Sequence, residues 1–284
     1  MASLKDIRRR ITAVRNTQKV TRAMKLVAAA KLKRAQRNAM DGRLFASALH
    51  DVTDRVSRRL GAGAPPMWRR PATLDCIDLL LITSDRGLCG GFNENLIRVA
   101  EDGIEDHLSH NIAVKLFVIG KRGYSHLAGR GYDVEAVSPE DGVDVMIERL
   151  MERLTQRFFS GETSGCNLAF NRFISAARQK ITFWNLLPLY ERGDEIERHL
   201  EYLYEPDRDV SLDKLSAMAI RSSVRQALLE SQAAELAARM SAMDAATKNA
   251  DDMIAHLTSV YNRERQESIT SELLDIMNGA EALR

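Results

Sequence analysis

Residues 229–261 read LESQAAELAARMSAMDAATKNADDMIAHLTSVY, and the spacing within them decides the fold. Leu229, Ala233, Leu236, Met240, Met243, Thr247, Ala250, Ile254, Leu257 and Tyr261 follow one another at alternating steps of four and three. A seven-residue repeat of apolar or small side chains is a coiled-coil seam, because 3.5 residues per turn keeps one stripe facing a partner helix. After a one-residue drift the seam resumes at Ile269, Leu273, Ile276, Ala280 and Leu283, as a straight helix slipping against the repeat requires. Neither Gly nor Pro interrupts the chain between Pro206 and Gly279, and Asp207 or Asp209 can cap the start. At ~1.5 Å per residue such a helix spans on the order of 100 Å. It must project beyond any domain to which it belongs.

The opposite end of the chain carries the complement. Ser3 and Asp6 make a capping-box-like start, and Leu4, Ile7, Ile11 and Val14 recur at steps of three and four. The stripe continues less strictly through Val20, Met24, Val27, Leu32 and Ala35. Gly42 is the single breaker before the Gly61–Pro66 run, which ends a helix expected to reach roughly 80–90 Å. Residues 1–40 hold twelve Lys or Arg against Asp6 alone, net +11; with the whole chain at +2, residues 41–284 carry −9. A basic arm of this kind expects an acidic partner, whether protein, nucleic acid or anionic lipid. Each long helix is apolar along one face only, so the two bury their seams against each other, antiparallel.

Between them lies an α/β block over 73–206. Strand-like runs at Cys76–Thr83, Ala113–Ile119, Leu168–Ile174 and Ile181–Leu187, with an amphipathic helix near Val145–Phe159, predict a mostly parallel sheet covered on both faces. The fold expected is a long antiparallel coiled coil of N- and C-terminal helices plus a small Rossmann-like α/β domain. Its segments are 1–66, 67–206 and 207–284. No run of ~18 apolar residues occurs, so no helix is long and apolar enough to cross a bilayer. Cys76, Cys89 and Cys166 have neither metal-ligand nor disulfide-framework spacing, which fits a reducing compartment.

Several motifs suggest chemistry and fail on detail. Ser84–Asn93 is a glycine-rich turn between a strand and a helix, where phosphate can bind. Its order is Gly-x-x-Gly-Gly, however, without a following Lys-Ser/Thr, so a tight structural turn is the better reading. Gly120-Lys121 lacks the upstream glycine and the hydroxyl residue of a P-loop. The histidines form no metal triad, and Cys89 has no His-Asp partners for nucleophilic catalysis, so it reads as a buried small residue. An enzyme acting alone is not expected, nor any cofactor. The basic N-terminal helix admits three readings: a presequence, a nucleic-acid-binding basic region, or a solvated face. The helical pattern continues past thirty residues, against the first. Its apolar stripe begins at Leu4, inside the basic stretch, against the second.

Four separated stretches then resemble the gamma subunits of F-type ATP synthases. They are Ile7–Ile11 with Val14–Thr21 and Ala23–Ala29; Ser84–Asn93; Arg239-Met240 and Ala242–Asp244 with Tyr261–Arg263 and Arg265-Gln266; and Ile269–Glu272, Asp275 and Gly279–Ala282. The resemblance covers essentially the whole chain. It implies a coiled coil inside a ring of alpha and beta subunits, with the α/β domain as a foot on the epsilon subunit and the membrane rotor ring. The implied role is a non-catalytic shaft coupling proton flow to ATP synthesis at the cytoplasmic face of a bacterial inner membrane, or the matrix side of the mitochondrial one. It implies no nucleic acid and no insertion into the membrane; a basic coiled-coil nucleic-acid-binding protein is the alternative. Met24 and Lys25 resemble positions facing an acidic loop of the beta subunit. Arg265, Gln266, Thr270 and Glu272 resemble those meeting the upper part of the ring, with Arg239 at a neighbouring coupling position. The cysteine-bearing insertion of chloroplast relatives is missing, so thiol regulation is not expected.

Overall fold

The computed structural model describes residues 4–60, 64–69, 71, 73–189 and 202–281, without the side chains of 279–281. The expected cap at Ser3, the start of the Gly61–Pro66 run, the side chain of the seam position Ala280, and Leu283 lie outside what is described. In chain order the elements are α1 (Leu4–Arg59), a 3-10 turn (Pro66–Trp68), β1 (Cys76–Ile82), α2 (Phe92–Ser109), β2 (Ala113–Ile119), α3 (Lys121–Gly129), β3 (Val134–Val137), α4 (Val143–Phe159), β4 (Gly165–Ser175), β5 (Arg178–Leu187) and α5 (Arg208–Glu281). The chain divides into two compact units: Ala30–Ala238, and Met1–Ala29 together with Arg239–Arg284.

In the Ala30–Ala238 unit the sheet runs β3-β2-β1-β4-β5, parallel except for the last pair. Side chains alternate across a strand, and both faces here are apolar. Leu79, Leu81, Leu116, Val118 and Ala169 meet Leu96, Ile97, Ala100 and Ile104 of α2 on one face. Leu80, Ile82, Phe117, Ile119, Leu168 and Phe170 meet α4, the end of α1 and the start of α5 on the other. Each fully buried Leu or Phe contributes roughly 1.5–3 kcal/mol. The parallel, doubly covered sheet is the expected one. β3 and α3 went unread, since four residues on an edge strand and nine in a helix are too few to show a period. Trp68, buried, donates its indole N–H to Ser216 Oγ at 2.8 Å and so fastens the turn after α1 onto α5.

α5 begins where an aspartate predicted it: Asp207 Oδ1 accepts the amide of Val210 at 3.0 Å. α1 passes through Gly42 without a break. A Cβ on Gly42 would stand 2.5 Å from Gln226 Oε1 and 3.3 Å from Leu229 Cδ1, so this glycine marks close helix approach rather than a helix end.

In the other unit, α1 and α5 lie antiparallel. Gln18 pairs with Asp251, Thr21 with Thr247 and Lys25 with Asp244, so one number falls as the other rises. Of the seam positions on α5, Met243 and Ala250 are buried and Met240, Thr247, Ile254, Leu257 and Tyr261 half-buried. The stripe on α1 matches its reading at Ile7 and Ile11 and departs from it at Val20 and Val27. Ile7, Ile11, Thr21 and Ala28 are buried, whereas Val20 and Val27 are more than half exposed. At Thr21 and Ala28 a small or hydroxyl side chain occupies the seam because it lets the helices approach, and the bulkier Val20 and Val27 beside them turn outward.

Candidate partner interface

The seam is crossed by a polar ladder. Thr21 and Thr247 share a 2.8 Å hydroxyl contact, and the Thr247 hydroxyl donates to the Met243 carbonyl at 2.7 Å. Lys25 Nζ lies 2.6 Å from Asp244 Oδ1, while Lys248 reaches the other carboxylate oxygen at 3.2 Å. These two ammonium groups hold the Asp244 carboxyl below the usual carboxylate range. Directional contacts of this kind set which turn of α1 faces which turn of α5, something an apolar seam alone leaves loose.

The anticipated interface residues fall into two groups. Met24 and Lys25 on α1 and Arg239 on α5 are half-buried; Lys25 is engaged within the chain by Asp244. Arg265, Gln266, Thr270 and Glu272 are exposed further along α5, where Thr270 Oγ1 donates back to the Gln266 carbonyl at 2.9 Å. From Arg239 to Arg265 the helix axis advances on the order of 40 Å, so these are two separate surfaces. Past Ser268, which is half-buried, every residue of α5 up to Asn278 is exposed. Ile269, Leu273, Leu274, Ile276 and Met277 are each at least half exposed, an apolar helix end left uncovered by the described residues of its own unit. Sustained apolar exposure of this kind marks a binding surface.

The α/β block places Ser84–Asn93 after β1, beside the switch in strand order between β1 and β4. Open sheets of this type bind ligands at such a crevice. Here the polar groups are spent on one another. Asn93 Oδ1 accepts the Ser84 amide at 3.0 Å, Asn93 Nδ2 donates to Ser84 Oγ at 2.8 Å, and Ser84 Oγ donates to the Arg86 carbonyl at 2.8 Å. Asp85 Oδ1 takes the first amide of α3 at 3.1 Å, where an anion would otherwise sit. Leu88, at φ 63°, and Gly90, at φ 59°, make the tight turn. Cys89 is buried beneath it, as read from the sequence.

Two buried ionic groups escaped the sequence reading. Asp78, on β1, is fully buried against Arg157 of α4, whose Nε and Nη2 approach it at 3.1 Å. Burial pushes the Asp78 carboxyl up, and Arg157 draws it back only in part. Burial likewise pushes up the thiols of Cys166 and Cys76. Glu230 of α5 is buried beside Arg43 of α1 and Arg172 of β4. The available signal was a charge within an apolar pattern: Asp78 inside CIDLLLI, and Glu230 among Ala227, Ala233 and Ala234.

A family model described as ATP synthase matches residues 3–283. Among relatives, the ATP synthase gamma chain of Geobacter sp. strain M21 is 39% identical over 292 residues and that of Chlorobaculum parvum 39% over 293, each with all of both chains covered. A chain in the central stalk and c-ring structure of the Tetrahymena thermophila mitochondrial ATP synthase superposes with a TM-score of 0.60 at 25% identity, covering 80% of this chain and 99% of that one. A chain of the Euglena gracilis mitochondrial enzyme, in its OSCP/F1/c-ring structure, gives 0.71 at 18% identity over 99% and 94%.

Proposed function

The chain belongs to the ATP synthase gamma family, and on that premise we propose that it is the rotating central shaft of such an enzyme. The shaft turns within a ring of alpha and beta subunits and joins the epsilon subunit and the membrane rotor ring at its α/β foot. It carries torque and performs no chemistry itself. The observation that carries this reading is the end of α5, whose apolar side chains Ile269, Leu273, Leu274, Ile276 and Met277 are at least half exposed among the described residues. A surrounding apolar sleeve would remove that surface from water.

A partner shifts an equilibrium only by differing in affinity for its states. An off-axis helix pair presents a different face to each catalytic subunit, so turning it permutes their nucleotide affinities. Arg265, Gln266, Thr270 and Glu272 are the contacts proposed for the upper part of the ring. Met24, Lys25 and Arg239 are those proposed for the acidic loop and its neighbour. The segments 67–206 and 1–66 with 207–284 serve as foot and shaft. The protein works at the cytoplasmic face of a bacterial inner membrane, or the matrix face if organellar; no helix among the described residues is long and apolar enough to cross a membrane. A full-length match to gamma chains leaves the nucleic-acid reading without support.

The test is co-expression with the alpha and beta subunits of the same organism. The expected product is a stable complex that hydrolyses ATP and contains this chain. A chain that purifies alone while alpha and beta assemble without it overturns the assignment.

A further inference from the structure

We propose that Glu230 pins a shear lock, a buried carboxylate that holds α1, α5 and β4 in one register so that the helices cannot slide along each other under torque. Its role in coupling rests on the rotor reading; its role as a lock does not. All the residues lie in the Ala30–Ala238 unit.

The buried side chains along these stretches of the two helices are mostly small: Ala35 and Ala39 on α1, Ala227, Ala233 and Ala234 on α5. Gly42 adds a point of contact where even a methyl group would collide. Small residues permit close approach but interdigitate little, and apolar attraction is non-directional. Twisting a helix pair drives its two strands lengthwise past each other, and a smooth interface resists that poorly.

Glu230 supplies what the alanines lack. Its side chain is 1% exposed. Oε1 accepts Arg43 Nε at 3.0 Å and Gln226 Nε2 at 3.0 Å, and Arg172 Nε of β4 stands 3.7 Å from Oε2. Arg43 Nη2 also donates to the Phe173 carbonyl of β4 at 3.1 Å, and Gln226 Nε2 to the Ala39 carbonyl of α1 at 2.9 Å. Through Arg43 and Gln226 this carboxylate ties two helices and a strand by hydrogen bonds of fixed direction, and Arg172 adds an ion pair without a hydrogen bond. Stability alone does not call for the charges, because apolar residues of similar volume in place of a buried ionic triad are often neutral or stabilising. Fixing register is the use that remains. Glu230, Arg43 and Arg172 are positioning residues.

Two variants decide it, Glu230→Gln and the triple Arg43→Met, Arg172→Met, Glu230→Met, with Arg43→Lys as the conservative control. In the isolated full chain, the lock predicts faster amide exchange at residues 39–47 and 226–234 in Glu230→Gln, and a triple variant that melts no lower than wild type. In the assembled, membrane-coupled enzyme it predicts ATP hydrolysis retained but fewer protons pumped per ATP in both variants, with Arg43→Lys losing less. A triple variant that melts and pumps like wild type reduces the cluster to core filling and overturns the lock. Should the triple variant not fold, normal pumping by Glu230→Gln overturns it equally. A wild-type chain that does not assemble sinks the rotor reading instead, and unchanged exchange in Glu230→Gln then disposes of the lock by itself.

Discussion

Gly42 and Gly103 both sit inside helices, yet a methyl group added to each meets opposite surroundings. At Gly103, in α2, nothing lies within 4 Å of the new atom. Gly103→Ala therefore gains helix propensity at no steric cost and is expected to stabilise by up to ~1 kcal/mol in denaturant unfolding. At Gly42 the same gain is opposed by Gln226, whose amide cannot swing away without releasing the Ala39 carbonyl and Glu230. Two buried hydrogen bonds at about 1 kcal/mol each outweigh the propensity, so Gly42→Ala is expected to lose about 1 kcal/mol net. A stabilised Gly42→Ala chain would refute the close approach. Asp78 presents the charged counterpart. Asp78→Asn takes one carboxylate from a guanidinium that is 11% exposed and leaves it the Glu162 carboxylate at 2.6 Å. Breaking a buried pair on one side costs about 3 kcal/mol, and the retained Glu162 contact and the relieved burial of the Asp78 charge reduce the expected loss to roughly 1–2 kcal/mol. Equilibrium unfolding at neutral pH checks it, and no loss would mean that Glu162 alone suffices to neutralise Arg157.

The paired helices in the shaft unit depend on acid through Asp244. Its carboxyl is held below the ordinary range by Lys25 and Lys248, so its contribution is present above the unfolded pKa and disappears as pH falls through the lower, folded one. The wild type should therefore lose melting temperature faster than Asp244→Asn on titration from neutral to strongly acid pH, and the two curves should converge at the acid end. The shift will be small, since both partners are over a third exposed. Parallel curves would mean the ladder does not hold in solution. The two helices were not equally legible in the sequence. On α5 the seam from Leu229 to Tyr261 is buried or half-buried at every position, because a regular heptad leaves one self-consistent phase. On α1 Ile7 and Ile11 are buried as read, but the large apolar side chains Val20 and Val27 mislead, and the buried positions beside them are Thr21 and Ala28. What makes Thr21 acceptable in a seam is the Thr247 hydroxyl, a feature of the partner that no local pattern contains. Glu230 and Asp78 were visible as charges in apolar runs, but the arginines that neutralise them lie far away in sequence.

At the scale of the molecule, the rotor reading requires surfaces that are indifferent to folding and essential to assembly. Leu273 and Ile276 are 56% and 68% exposed, on the part of α5 that the described residues leave uncovered. Replacing both with Glu, a good helix former, should alter the unfolding free energy of the isolated chain by no more than ~0.5 kcal/mol per site. In the complex the same change sets two carboxylates against an apolar sleeve. Each forfeits part of the ~1.5–3 kcal/mol available from burying a large aliphatic side chain, and each adds a desolvation cost. The expected outcome is a chain that folds and melts as wild type but assembles in lower yield with alpha and beta subunits, or drives rotation with reduced torque. Single-molecule rotation of the assembled complex, set beside melting of the free chain, separates the two requirements. Equal melting with equal assembly and torque would show that these side chains meet water, not a sleeve, and the contact proposed for the end of the shaft would have to lie elsewhere on α5.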